Sequence, residues 1–299
     1  TPMGNDTDLN NLAMSEDARP LLDALAKHIR ENVDPITEEF HRLGEGRAER
    51  FSYAPGQLEL LETAKNKARE AGLWNFFLPN AETGEGLANL DYAYIAAELG
   101  KSPLAPETLN CSAPDTGNME VLERVGTPEQ KERWLKPLLA GEIRSAFAMT
   151  EPDVASSDAR NISTSAVLDG DDWVINGQKL WISRAEHSDL MVLLCRTTPR
   201  EECAKPSDGM SVLLVDMREA VGNGLTIRPV RTMLNHATTE LFFDDLRVPA
   251  SALIGEEGKG FRYILSGMNA ERILIASECI GDGRFFIDRA AAYAKDRGV

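Results

Sequence analysis

The spacing of apolar residues changes period twice along this chain, and that change constrains the fold more than any other feature. From residue 15 to residue 139, apolar positions recur at intervals of three and four. Leu21, Leu22, Leu25 and Ile29 fall on one helix face; so do Leu58, Leu61, Ala64 and Ala68, and then Leu90, Ala93, Ala97 and Gly100. Ser15, followed by Glu16 and Asp17, reads as a helix start. Thr127 can cap a helix that has Pro128 in its first turn. Pro35, Pro55, Pro79 and Pro103 divide the stretch into several helices.

From residue 143 to residue 248 the pattern becomes that of short strands. Residues 166–168 and 173–175 flank Asp169-Gly170-Asp171-Asp172, which predicts a hairpin with an Asp-Gly turn. Asn176-Gly177 predicts a second turn, and residues 190–195, 212–215, 240–243 and 246–248 predict further strands. From residue 258 to residue 298 the pattern is helical again and free of proline, enough for a helix of about 60 Å. Residues 273–280 are apolar nearly all round, which predicts burial on more than one side. Blocks of one kind of element, rather than alternation, predict an α+β chain with segregated domains. We place an N-terminal helical domain at 1–142, a β domain at 143–250, and the start of a further helical domain, incomplete, at 251–299.

The net charge of −16 argues against a broad nucleic-acid surface. It does not forbid a local anion site built from backbone N–H groups and one or two Arg. The four cysteines, Cys111, Cys195, Cys203 and Cys279, include no C-x-x-C pair, so neither a zinc site nor a disulfide framework is expected. They read as free thiols in a reducing compartment. No apolar run reaches the roughly 18 residues of a membrane span. The polar segment 1–11 lacks the signature of a signal peptide and is expected to fray. The compartment expected on these grounds is the cytoplasm, or the mitochondrial matrix in a eukaryote.

Four strings stand out. Phe147-Ala148-Met149-Thr150-Glu151-Pro152-Asp153-Val154-Ala155-Ser156-Ser157-Asp158 lies where helices give way to strands. Taken alone it is a strand closing in a hydroxyl-rich loop. Gly177-Gln178-Lys179-Leu180-Trp181-Ile182-Ser183 follows the hairpin. Glu240-Leu241-Phe242-Phe243-Asp244-Asp245-Leu246-Arg247-Val248-Pro249 ends the strand block, and Gly255-Glu256-Glu257-Gly258-Lys259-Gly260-Phe261 opens the last helix. A lone Trp181 would ordinarily be a core residue. Glu271 shares a helix face with Ile264, Met268 and Ile275. A carboxylate on such a stripe is either paired, for instance with Arg272, or functional.

In this order and spacing the strings resemble the acyl-CoA dehydrogenase family over nearly the whole chain. The resemblance implies that family's fold: an N-terminal helical domain, a middle β domain, and a C-terminal helical bundle represented here by its first helix. It implies FAD as cofactor, with Phe147, Ala148, Met149 and Thr150 at the polar edge of the flavin. Trp181, Ile182 and Ser183 would cover the other side, Ser183 near N5. The loop after Glu151-Pro152 is one residue longer than is common in the family, so the serine facing the CoA side is Ser156 or Ser157, with Ser157 preferred because it precedes Asp158. Asn269 and Arg272 match positions that contact CoA in relatives. Glu271, in Met268-Asn269-Ala270-Glu271-Arg272, matches the base of the isovaleryl- and long-chain-type members; other members carry theirs beyond residue 299. The implied reaction converts an acyl-CoA to a trans-2-enoyl-CoA and passes electrons to an electron-transfer flavoprotein, in a homodimer or homotetramer, as in β-oxidation. An oxidase of the same fold, or a non-catalytic acyl-CoA-binding scaffold, are the alternatives. No His/Cys/Asp spacing predicts a metal.

Overall fold

The computed structural model describes residues 12–47, 51–155, 158–233 and 237–298. These form two units, one of Thr1–Arg42, Leu58–Cys111 and Arg272–Val299, the other of Leu43–Gln57 and Ser112–Glu271.

The first unit is helical. Helix α1 (Arg19–His28) continues through a wide turn at Ile29–Val33 into α2 (Asp34–Gly44). It is followed by α3 (Gln57–Glu70), α4 (Asn89–Leu99) and the short α5 (Ala105–Thr108). The periodic positions are the buried ones: Leu25, Ile29, Leu61, Ala64, Ala68 and Ala97. Leu58 and Leu90, which start their stripes, stay exposed. Ser15 is held by side chain and backbone, its N–H and hydroxyl donating to Asp91 at 2.8 and 2.9 Å. Glycines allow the end of α4 and the last helix to approach closely. A methyl on Gly281 would come within 1.8 Å of the Ala97 carbonyl oxygen, and one on Gly100 within 2.1 Å of that of Glu278. Only glycine lets those backbones meet.

The second unit carries α6 (Asp115–Val125), α7 (Pro128–Gln130), α8 (Lys136–Ala140) and an eight-stranded sheet. Thr127 closes the expected cap as a reciprocal box with Gln130. The strands are β1 (Ser145–Ala148), β2 (Ser165–Asp169), β3 (Asp172–Ser183), β4 (Leu190–Arg196), β5 (Met210–Asp216), β6 (Leu225–Pro229), β7 (Thr238–Pro249) and β8 (Leu253–Ile254). A short α9 (Met217–Ala220) follows β5. The sheet order is β6-β7-β3-β2-β4-β5-β8, with β1 parallel to β4. Every residue of β4 is buried, as its unbroken apolar run requires.

The hairpin forms as predicted, Asp169 opposite Asp172 with Gly170 at φ 64°. Two expectations change. Asn176-Gly177 is not a turn; β3 runs on through it as a bulge, where Gly177 sits at φ 144° and a methyl would strike the Thr164 hydroxyl at 2.6 Å. The two strands expected at 240–243 and 246–248 are one strand, β7, because the irregularity at Asp244 and Asp245 is absorbed opposite that bulge. There Asn176 and Asp245 exchange two hydrogen bonds of 2.9 Å.

The last helix, α10 (Gly260–Asp296), begins in the second unit and ends in the first. Leu274 is buried, whereas Ile273, Ile275, Ile280, Phe286 and Ile287 are exposed. Among the described residues no helix is long and apolar enough to cross a membrane, and no three potential ligands gather for a metal.

Candidate active site

The site grows from β1. A buried polar network moors this strand to α6. Asp115 accepts from the Ser145 N–H and hydroxyl at 2.7 and 2.6 Å and pairs with Arg144 at 2.7 Å. Asn118 donates to the Ser145 hydroxyl at 2.9 Å and to the Ala146 carbonyl at 3.1 Å. With Asp115, Asn118 and Ser145 buried and joined to one another, the register of β1 against α6 is fixed.

Beyond β1 the first string is strapped to the second. The Thr150 hydroxyl donates to the Leu180 carbonyl, and the Leu180 N–H returns to the Thr150 carbonyl at 2.9 Å. One residue back on β3, Lys179 is wholly buried. Its ammonium donates to the Met149 carbonyl at 2.8 Å and to Glu151 at 2.9 Å. Glu151 also accepts from the Ser163 N–H and hydroxyl at 2.7 and 2.9 Å and from the Thr164 N–H at 2.9 Å. Burial opposes its charge, but Lys179 and these donors outweigh burial and hold its carboxyl below the usual glutamate range. Burial pulls Lys179 down in turn, and Glu151 opposes that shift.

Trp181 is the next residue, and the ladder to β7 slips at it: Leu180 pairs Glu240 and Ile182 pairs Thr239. Trp181 is thus the extra residue of a bulge, at φ 63° and with 55% of its surface exposed. It is not the core tryptophan that a lone Trp would suggest. A bulky residue in the left-handed region is strained, and such strain gathers at functional sites. Ile182 is buried, its carbonyl accepting from Thr239 at 2.8 Å, and Ser183 ends the strand, half-buried.

Phe147 faces a narrow cleft between β1, α6 and α10. Gly117, Asn118 and Val121 line it from α6, and Ile264, Gly267, Met268 and Glu271 from α10. Glu271 therefore shares its face with Ile264 and Met268 as the spacing predicted, although Ile275 is exposed. One carboxylate oxygen accepts the Gly117 N–H at 3.2 Å. Burial raises the Glu271 carboxyl above its usual range, and the Gly117 amide and Thr116 hydroxyl oppose that rise. One strand thus links a desolvated carboxylate, through Phe147, to Thr150, two residues beyond its end, and Thr150 is bonded to Leu180 beside the Trp181 bulge.

Asn269 and Arg272, on either side of Glu271 along α10, are exposed. Ser156 and Ser157 lie outside the described residues, as does His236. His187, another histidine of the second unit, packs its ring on Tyr53 at 4.9 Å. Thr116, Gly117, Lys179 and the role of Glu151 escaped the sequence reading. The one signal available was a glycine set inside the first turn of a helical pattern.

The comparisons with known proteins match nearly the whole chain to one family. Family models match in order: acyl-CoA dehydrogenase N-terminal domain at 15–142, middle domain at 146–246 and C-terminal domain at 258–299. The solved structure of a Mycobacterium abscessus protein described as an acyl-CoA dehydrogenase is 38% identical with a TM-score of 0.86, covering 96% of this chain and 72% of that one. The chain belongs to the acyl-CoA dehydrogenase family. That family consists of flavoprotein oxidoreductases that use FAD. Among curated members, mouse acyl-CoA dehydrogenase family member 10 is 40% identical over 298 residues, 95% of this chain and 26% of the relative. The Mycobacterium tuberculosis member FadE2 is 44% identical over 229 residues, 74% of this chain and 54% of the relative. The chain thus spans from about a quarter to about half the length of these two relatives.

Proposed function

We propose that this chain carries the flavin-facing part and the base of an FAD-dependent acyl-CoA dehydrogenase. The reading rests on Glu271, a carboxylate raised by burial at the wall of a cleft that it shares with the strand leading to Thr150, which is bonded to Leu180 beside Trp181. The residues present fit a flavin: an exposed aromatic side chain held outward by a strained bulge, flanked by a half-buried hydroxyl and strand backbone, is a surface on which a planar ring can stack. FAD would accept the β hydrogen of the substrate as hydride.

The chain's own residues do the rest. Glu271 takes the α proton, and the electrons of that C–H bond form the α,β double bond as the β hydrogen leaves, giving a trans-2-enoyl-CoA. A raised pKa brings the base closer to the operating pH. Asn269 and Arg272, exposed beside it, face solvent where a CoA chain can lie, and Ser156 or Ser157 is assigned to the same ligand. An electron-transfer flavoprotein would be the partner that takes up the electrons. The exposed apolar side chains of α10 support a homo-oligomer or a larger helical bundle in the whole protein, since large exposed apolar patches mark interfaces.

Glu271→Gln tests the reading, because it keeps shape and cannot accept the proton. General-base catalysis contributes about 10²–10⁴-fold. Anaerobic single-turnover bleaching of the flavin in the whole protein should slow by at least that order, with acyl-CoA still bound. Near-normal bleaching would move the base elsewhere.

A further inference from the structure

Two groups in the first turn of α6 converge on Glu271. The Gly117 N–H reaches one oxygen at 3.2 Å, and it is one of the amides a helix leaves unpaired at its start. No side chain larger than hydrogen is compatible with that approach: a methyl on Gly117 would sit 2.4 Å from the same oxygen and 2.8 Å from the carboxyl carbon. Thr116 is 2% exposed, and its hydroxyl has no hydrogen-bond partner among the described residues. That buried hydroxyl stands close enough to the Glu271 carboxylate to favour its charged form. An unpaired buried hydroxyl is costly, so its place beside a carboxylate calls for a role.

We propose that the first turn of α6 is a clamp for the base, in which the Gly117 amide and the Thr116 hydroxyl are positioning groups that aim the Glu271 carboxylate and keep it ionised. This deepens the reading of Glu271 as base and rests on it. The clamp resolves a conflict in the cleft. Burial pushes the carboxyl toward its protonated form, in which it cannot accept a proton. The Gly117 amide, the dipole of the Thr116 hydroxyl and the positive end of an 11-residue helix pull it back.

Other charges face the same carboxylate. Glu120, one turn further along α6, is pushed up to about 7, first by burial and also by repulsion from Glu271 and Glu123, with Arg124 opposing. From β1 the cleft receives Phe147, which carries no charge. Arg272 adjoins Glu271 on α10. Glu120 is therefore the neighbour on α6 whose titration overlaps that of a raised base, and Glu278, further along α10, is also pushed up to about 7 by burial.

The sign follows from what the clamp favours. Donors lower the carboxyl pKa, so removing one raises it and moves the acid limb of the rate toward higher pH. In the whole protein, Thr116→Val should shift the acid limb of anaerobic flavin bleaching upward, by at most about 0.5–1 pH unit, because the hydroxyl stands beside the carboxylate without a hydrogen bond of its own and so acts as a dipole weaker than a full donor. Thr116→Ser should restore it, and the shift should persist in a Glu120→Gln background. Gly117→Ala should slow bleaching at least about tenfold while the melting temperature holds or rises, because Ala is the better helix former. A purely structural Gly117 would behave the opposite way. The Glu271 titration can also be read without turnover, from the carboxyl infrared band that Glu271→Gln removes. If Thr116→Val leaves that midpoint in place, the clamp is refuted even where Glu271→Gln abolishes bleaching. If the midpoint moves but Glu271→Gln still bleaches normally, the clamp stands and the assignment of the base falls.

Discussion

Replacing Lys179 by Met tests what holds the strings around Thr150 and Trp181 together. The side chain is fully buried, and its loss leaves Glu151, 3% exposed at its side chain, without its counter-charge. Removing one partner of a buried ion pair costs about 3–5 kcal/mol. Here the lower end applies. Three donors, from the Ser163 N–H and hydroxyl and the Thr164 N–H, remain at 2.7–2.9 Å to carry part of the charge. We expect about 3 kcal/mol from urea unfolding followed by far-UV circular dichroism. Glu151→Gln in the same chain should recover part of it, with a coupling of about 1.5 kcal/mol or more in the double-mutant cycle.

The pair also sets a pH dependence. Glu151 is depressed in the folded state, so its stabilisation is fully present above the unfolded glutamate value of about 4.3 and is lost as pH falls through the folded one. Without Lys179 the folded value rises, so acid unfolding of Lys179→Met should begin at higher pH than that of the parent. A cost under about 1 kcal/mol, with the acid midpoint unmoved, would show that the pair is bystander chemistry and refute the strap.

Two further outcomes are expected. Trp181→Gly should leave stability unchanged or raise it by about 1 kcal/mol, because it relieves a left-handed residue whose side chain is largely exposed. FAD affinity, read by fluorescence titration, should fall by about 0.5–1.5 kcal/mol, the worth of one aromatic contact; undiminished affinity would remove Trp181 from the flavin surface. The whole protein should sediment as a dimer or tetramer at micromolar concentration, and a monomer would mean that the apolar side chains of α10 are covered within one chain.

Legibility differed from element to element. The stripe Leu61, Ala64, Ala68 could be read as a buried helix face because burial follows a fixed angular spacing and needs no partner to be named. β4 was legible for the same reason, as was the Thr127 cap, whose two partners lie three residues apart. Asn176-Gly177 misled because the same pair serves a turn or a bulge. The choice was made by Thr164 and Asp245, 12 and 69 residues away. Glu271 was legible as a carboxylate on an apolar stripe. Thr116 and Gly117, which complete its surroundings, come from a helix more than 150 residues earlier.

The sequence by itself determined where the blocks of helices and of strands lie, that the chain carries the acyl-CoA dehydrogenase strings, and which carboxylate stands on an apolar face. These follow from local periodicity and from residues within one string. Only the tertiary structure decided that Glu151 is bound to Lys179 rather than free for chemistry, that Trp181 points outward from a bulge, and that the start of α6 meets Glu271. Each of these depends on a charge, a register slip or a helix end meeting a group remote in sequence, and the energies that fix them exist only once water has been excluded between the two.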